Sequence, residues 1–190
     1  RRPVPAVRGM KLPVPDPDRG VYGLLLNAKC NVEKTAAWIN EFISRNHASP
    51  LRVRPHPGYE SEKLSRLPHA VICDWREPLA DFLDGLDLAF ALNTNAMIEA
   101  LLHGVPVVYI GGLDPAPFDL FGLVADGSVY PYTKEDTFPA AVTRFYSRQD
   151  FRHSWNNAEF TTDTEEEKIF LTELFTRSRK EKNCVLERAQ

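Results

Sequence analysis

Short apolar runs alternate with helix-like apolar periods from residue 21 onward. Five short segments predict strands, at residues 21–26, 51–54, 70–73, 88–92 and 105–110. Strands that alternate with helices imply right-handed crossovers and a parallel sheet covered on both faces. The pattern therefore predicts an α/β fold, a Rossmann-like parallel sheet with helices on both faces.

Helical periods fill the intervals between these runs. Asn31 is a candidate cap for a helix that continues to about residue 47. Its apolar positions at Val32, Ala36, Ile39 and Ile43 predict the buried face of that helix. Other helices are predicted at residues 61–67, 78–83, 95–103, 135–146, 150–157 and 164–181, with a loop at about 111–131.

Proline clusters at the start of the chain and suggests the domain boundaries. Five of the 15 prolines lie in the first 20 residues, which indicates a stiff, extended linker or terminus at 1–20. Residues 21–160 then form the α/β domain, and 161–190 form a helix that packs back on this domain or on a missing partner. The lack of an initiator Met suggests a piece of a longer protein.

Composition narrows the functional classes. The chain has 23 Lys and Arg against 26 Asp and Glu, a formal net charge of -3, which argues against a nucleic-acid partner. The three cysteines form no CxxC pair, which argues against a structural zinc site and a disulfide framework, and favours a cytoplasmic setting. No apolar run reaches the length of a membrane span.

Four loops follow the carboxyl ends of the predicted strands, where ligands of open α/β sheets bind. They are residues 27–31, 55–60, 93–95 and 111–119. In the second loop, two prolines flank His56 and restrict the backbone on both sides. A rigidly held histidine at a strand end can donate a hydrogen bond to a phosphate oxygen, and the alternative is an ordinary surface turn.

The third loop reads Asn93-Thr94-Asn95 and leads into a helix. Amide groups at a helix start suit an anion, which makes this turn a candidate phosphate site. Glu99 lies four residues after Asn95 on the same helix face and could accept hydrogen bonds from a ribose diol. The alternative is simple capping of the helix with an exposed Glu99.

Several nucleotide and hydrolase motifs are absent. The chain has no GxGxxG after its first strand and no GxxxxGK[ST] loop, which argues against a dinucleotide-binding domain and a P-loop nucleotidase. It also lacks the GxSxG elbow of serine hydrolases and the HExxH metal motif.

The remaining motifs resemble the donor-binding, C-terminal half of GT-B glycosyltransferases. The stretches that carry the resemblance are 78–83, 86–90, Asn93-Thr94-Asn95, Glu99-Ala100-Leu101 and Gly104-Val105-Pro106-Val107-Val108. With Arg54-Pro55-His56-Pro57, the chain is similar to bacterial capsule and surface-polysaccharide transferases that have a His-Pro motif, including Kdo- and sialyl-type enzymes. One departure from the family is the polar turn, which usually holds Ser or Thr pairs.

The resemblance implies roles for individual residues. His56 would be the catalytic contact to the donor phosphate, and the turn Asn93, Thr94 and Asn95 would hold the same phosphates. Glu99 would bind the ribose. Their positions suggest Lys29 and Asn27 as additional phosphate contacts and Asp114 as a contact to the sugar.

The resemblance also implies the reaction. The enzyme would need neither metal nor cofactor, and its substrate would be a CMP- or UDP-type nucleotide-sugar. The acceptor would be a surface polysaccharide, another glycan or a lipid-linked glycan, and the general base would come from a missing N-terminal domain. The expected location is the cytoplasm, with peripheral association of the full enzyme at the inner face of the membrane as a further expectation.

Three alternatives stay open. A UDP-sugar 2-epimerase-like domain would share the architecture and bind a nucleotide diphosphate at the same place. A non-catalytic Rossmann-like module would use the fold for interaction with a partner. A teichoic-acid-type glycerophosphotransferase is a more distant relative, because its acidic and Ser-rich turn is missing.

Overall fold

Six parallel strands form a single sheet. The computed structural model describes residues 19–57, 64–65, 67–125, 127–133 and 138–147. The strands are β1 (Tyr22–Leu25), β2 (Leu51–Arg54), β3 (Ala70–Ile72), β4 (Leu88–Ala91), β5 (Val107–Tyr109) and β6 (Tyr130–Pro131). Their order in the sheet, β3-β2-β1-β4-β5-β6, is that of a doubly wound Rossmann sheet, and it confirms the predicted fold class.

Four helices have defined bounds in the described part of the chain. They are α1 (Val32–Asn46), α2 (Leu79–Asp84), α3 (Ala96–Leu102) and α4 (Ala140–Tyr146). The first three lie where the apolar periods predict them, and α4 occupies the second half of the predicted helix 135–146. The predicted helices at 150–157 and 164–181, the segment 161–190 and nearly all of the linker 1–20 lie outside the described residues.

Helices cover both faces of the sheet because the strands are apolar on both sides. Leu88 and Phe90 of β4 join a core with α1 and α4. Ala89 and Ala91 of the same strand join a second core with α2 and α3. Alternation along a strand sends successive side chains to opposite faces, so one strand serves both cores.

Small residues on the second face let its helices approach closely. A Cβ placed on Gly23 would lie 2.4 Å from Leu86 Cδ1, in the segment that follows α2. Because Leu86 is itself fully buried, this contact has no room for an added methyl group. Gly23 therefore sets the distance between β1 and the layer of α2.

The buried face of α1 differs in part from the predicted one. Val32 and Ile39 are buried as expected, but Ala36 and Ile43 lie at the margin of the core. The rest of the buried face consists of Thr35, Trp38 and Phe42. Aromatic packing determines which side of α1 is buried. Trp38 stacks on Phe42 at 5.3 Å between centroids, and Phe42 packs edge-on against Phe90 at 4.8 Å.

Two helices of the central region are capped, α1 at its start by Asn31, as predicted, and α3 at its end by Gly104. The side chain of Asn31 accepts a hydrogen bond from Lys34 N at 2.9 Å and begins α1. After α3, Gly104 adopts a φ of 82° and donates to Leu101 O, and Val105 N donates to Ala100 O. These two bonds form a Schellman motif, in which the left-handed conformation favours glycine.

The sixth strand was not predicted, because two residues are too few to give an apolar period. β6 pairs with β5 through Val108 opposite Tyr130 and Tyr109 opposite Pro131. The hydroxyl of Tyr146 extends this edge, since it accepts from Val107 N at 3.0 Å and donates to Val107 O. A side chain of α4 therefore completes the pairing of β5 where β6 is too short.

Candidate functional site

The loops after β1 and β4 part at the carboxyl edge of the sheet. These two strands are neighbours, but the chain after β1 leads to α1 on one face and the chain after β4 leads to α3 on the other. Such a divergence is the topological switch point of the sheet, and ligands of open α/β sheets bind in the crevice at this point. The residues that follow the two strands, Asn27 and Asn93, stand on its two sides.

Asp114, from the loop after β5, joins both sides of the crevice. Its Oδ2 accepts from Asn27 Nδ2 at 2.6 Å and from Asn93 N at 3.2 Å. Its Oδ1 accepts from Ala116 N at 2.8 Å and from Asn93 Nδ2 at 3.4 Å. Four hydrogen bonds match the acceptor capacity of a carboxylate, so this side chain is saturated. We call Asn27, Asn93 and Asp114 the switch-point clasp.

Asn27 is held as firmly as Asp114. Its Nδ2 donates also to Asn93 O at 3.1 Å, and its Oδ1 accepts from Lys29 N at 2.9 Å. A second link joins the same two loops, since Asn31 N donates to Leu113 O at 2.7 Å. The loop after β1 and the loop after β5 are thereby fixed to each other across the end of β4.

Asn93 also anchors the rest of the loop after β5. Its Nδ2 donates to Tyr109 Oη at 3.0 Å and to Pro117 O at 3.3 Å. Its Oδ1 accepts from Leu120 N at 3.0 Å. With only 8% of its surface exposed, Asn93 is one of two buried polar residues in the described part of the chain. The side chain therefore shapes the loop as well as the crevice.

The loop after β5 carries an exposed apolar crest. Phe118 is 65% exposed, Leu120 57% and Phe121 38%. Two groups hold the crest in place: Phe118 packs edge-on against Tyr109 at 5.1 Å, and the carboxylate of Asp119 accepts from the amides of residues 124 and 125. The crest is a fixed surface that borders the crevice.

Four of the predicted site residues lie on the exposed side of this edge. Lys29, His56, Asn95 and Glu99 are exposed, and Thr94 is half-buried. They follow β1, β2 and β4, so the predicted site residues divide into the saturated clasp and an exposed outer group. The roles of the outer group in binding stay predictions.

The amides at the start of α3 are already engaged. Ala96 N donates to Thr94 Oγ1 at 3.4 Å, and Met97 N donates to Thr94 O at 3.1 Å. Ile98 N and Glu99 N both donate to Asn95 O. If this turn binds a phosphate as predicted, the donors are its side chains and the backbone amides that precede Ala96.

Sequence reasoning missed Arg54 and Tyr109. Tyr109 contributes its hydroxyl to the clasp from the last position of the apolar strand β5, where nothing in the pattern marks it. Arg54 ends β2 on the face of the α2 layer, and its charge, in alternation with the buried Leu51 and Val53, is a signal that could have been used.

Comparison with protein-family models, with curated proteins and with solved structures found no match for this chain. Among the described residues, no group of three or more His, Cys, Asp and Glu side chains is placed to hold a metal ion. In that same part of the chain, no helix is long and apolar enough to cross a bilayer.

Proposed function

We propose that this chain is a nucleotide-sugar-binding domain, the donor half of a GT-B glycosyltransferase. The observation that carries the proposal is the convergence of Asn27, Asn93 and Asp114 at the switch point of a parallel sheet. Ligands of open α/β sheets bind at this point. The resemblance of the sequence supplies the substrate class, a CMP- or UDP-type nucleotide-sugar, and an acceptor that is a glycan or a lipid-linked glycan.

In this proposal some residues of the site position the loops and others contact the ligand. The switch-point clasp positions the loops, since its hydrogen-bonding groups are occupied by one another. The exposed groups contact the ligand, with His56 and Lys29 at the phosphates and Glu99 at the ribose. A sugar contact by Asp114 requires one of its four present donors to leave first.

Catalysis in this scheme depends on the departing nucleotide phosphate. Its negative charge is stabilised by fixed donors and cations, for which His56 and Lys29 are the nearest candidates at this edge. The base that takes a proton from the acceptor belongs to a second domain, as does the other wall of the cleft. The domain alone therefore binds the donor nucleotide and transfers no sugar.

Calorimetric titration of the chain with CMP, UDP, CDP and GDP tests the proposal. We expect at least one of them to bind, and His56→Ala to weaken that nucleotide about tenfold or more, because a hydrogen bond to a charged group is lost. The matched control is His47→Asn, an exposed histidine at the end of α1 and the opposite edge of the sheet. If none of the four binds, or if both variants weaken binding equally, the proposal fails.

One observation favours a second candidate, an interaction module. The apolar crest places three large exposed side chains within four residues of one loop, and exposed apolar patches commonly mark binding surfaces. Sedimentation of the chain and of the triple Ser variant at Phe118, Leu120 and Phe121 tests it. Self-association that the variant abolishes, together with a failed nucleotide titration, would favour this candidate; a monomer in both samples would remove its support.

A further inference from the structure

Arg54 occupies the last position of β2, at the carboxyl edge of the sheet. Leu51 and Val53 of this strand point into the core under α1, so Arg52 and Arg54 point to the opposite face. Both guanidinium groups lie over the ring of Phe82 in α2, with their Cζ atoms at 5.0 and 5.8 Å from its centroid. Two positive charges thus share one buried aromatic ring.

Carboxylates balance the other arginines of this region. Arg52 pairs with Glu77 at 3.6 Å, where both side chains are mostly buried. Arg76 pairs with Asp74 at 3.8 Å on the surface. Within the described residues no carboxylate pairs with Arg54, so among these residues its positive charge is the one without a counter-charge.

The N–H groups of the Arg54 guanidinium also have few acceptors among the described residues. Nη2, on the exposed side, donates to Trp75 O at a long 3.3 Å. Nη1 is buried and has no acceptor among the described residues. A guanidinium has five N–H donors, and a partly buried cation without a counter-charge carries a free-energy penalty that an anion relieves. The forked donors of arginine match the oxygens of a phosphoryl group.

The position of Arg54 connects this charge to the edge where the clasp lies. Leu26 N donates to Arg54 O at 3.1 Å, which places the end of β2 beside the residue before Asn27. His56 follows two residues later and is exposed. The half-exposed ring of Trp75 stands at the adjoining end of β3. In contrast, the clasp at β4 and β5 carries the carboxylate of Asp114.

We propose that Arg54 binds a phosphoryl group through the exposed side of its guanidinium, and that the phosphate subsite lies over β2 and β3. This relocates the phosphate from the start of α3, whose amides are engaged, to the cationic half of the edge. The identity of the ligand, a nucleotide phosphate, rests on the proposed function. The presence of an oxyanion subsite rests on Arg54 alone.

Titration with pyrophosphate at low ionic strength tests the subsite without a nucleotide. We expect Arg54→Gln to weaken pyrophosphate about tenfold or more and Arg54→Lys to weaken it less, because lysine keeps the charge and loses the fork. The matched control is the double variant Arg52→Gln with Glu77→Gln, which removes a paired cation over the same ring without changing the net charge. This control is expected to bind within about threefold of the unchanged chain.

The Nε–H signal of Arg54 in the NMR spectrum of the unchanged chain gives a second measurement, which keeps the test open if a variant misfolds. This signal is expected to shift on addition of pyrophosphate, while that of Arg52 stays in place. The inference is overturned if pyrophosphate fails to bind, if Arg54→Gln binds it as the control does, or if the Arg54 signal is unmoved.

Titrations with nucleotides distinguish a failure of the Arg54 subsite from a failure of the proposed function. If pyrophosphate binds through Arg54 but CMP, UDP, CDP and GDP do not bind, the subsite stands and the proposed function fails. If a nucleotide binds and Arg54→Gln leaves its affinity unchanged, the proposed function stands and the subsite is wrong.

Discussion

The side-chain amide of Asn27 donates to the carboxylate of Asp114 at 2.6 Å, although the two residues are 87 positions apart in the chain. They follow β1 and β5, which are not neighbours in the sheet, because β4 lies between them. The bond therefore crosses the end of β4, directly at Asn93. One carboxylate holds three strand ends together where a ligand of this fold would bind.

Removal of this carboxylate should destabilise the domain. Asp114→Ala leaves the donors of Asn27, Asn93 and Ala116 without their acceptor in a partly buried place, and we expect a loss of about 2–3 kcal/mol in the free energy of unfolding. Urea denaturation measures it. Asp81→Ala, an exposed carboxylate in the first turn of α2, should cost about 0.3–1 kcal/mol. Equal losses in the two variants would show that the clasp contributes nothing beyond an ordinary surface charge.

The buried hydroxyl of Tyr146 should make stability sensitive to alkaline pH. Burial raises the pKa of Tyr146 above its ordinary value, and hydrogen bonds with the backbone of Val107 and Tyr130 offset this only in part. The folded state therefore holds the proton more tightly than the unfolded state. Its contribution is complete below about pH 10, the ordinary pKa of tyrosine, and is lost as the pH rises above it.

The variant Tyr146→Phe distinguishes the pH-dependent stability that comes from the Tyr146 hydroxyl from that of the other tyrosines. At neutral pH the variant should lose about 1–3 kcal/mol, because Val107 N and O of β5 are left unpaired in the core. Between pH 9 and 11 its unfolding free energy should fall less steeply than that of the unchanged chain. Parallel curves for the two proteins would mean that the pKa of Tyr146 is the same in the folded and the unfolded state, which would contradict this prediction.

Gly23 should tolerate no larger side chain. Gly23→Ala places a methyl group 2.4 Å from Leu86 Cδ1 between β1 and the α2 layer, and overpacking of this kind costs about 1–3 kcal/mol. Combination with Leu86→Ala opens the space again, so the double variant should be more stable than the sum of the two losses predicts. If the two losses of stability simply add in the double variant, the methyl group added at Gly23 does not clash with Leu86, and the prediction is wrong.

The sheet could be predicted from the sequence because most of its strands are apolar runs with helices between them, and because Leu51 and Val53 of β2 alternate with polar positions. The apolar residues around Val107 and Val108 are enough to predict a buried strand, whereas the two residues of β6 are too few. The face of α1 was only partly predictable, since the packing of Trp38 on Phe42 and Phe90 outweighs the simple period of apolar positions.

The candidate site was less predictable than the fold. The sequence places Asn27, Asn93 and Asp114 in loops at one edge of the sheet, because parallel strands end there. It cannot reveal that Asp114 accepts hydrogen bonds from both amides, since partners 87 and 21 residues apart leave no periodic pattern. That Arg54 has no counter-charge among the described residues is equally hidden, because it depends on which carboxylates reach Arg52 and Arg76.

The most direct test of the account is to map nucleotide binding on the backbone amides by NMR. Addition of CMP or UDP is expected to shift the amides of Lys29, His56 and Asn95, which follow β1, β2 and β4, and to leave Gly20, His47 and Gly104 at the opposite edge unchanged. An unchanged spectrum with every nucleotide, or shifts confined to that opposite edge, would contradict a nucleotide-sugar site at the carboxyl ends of the strands.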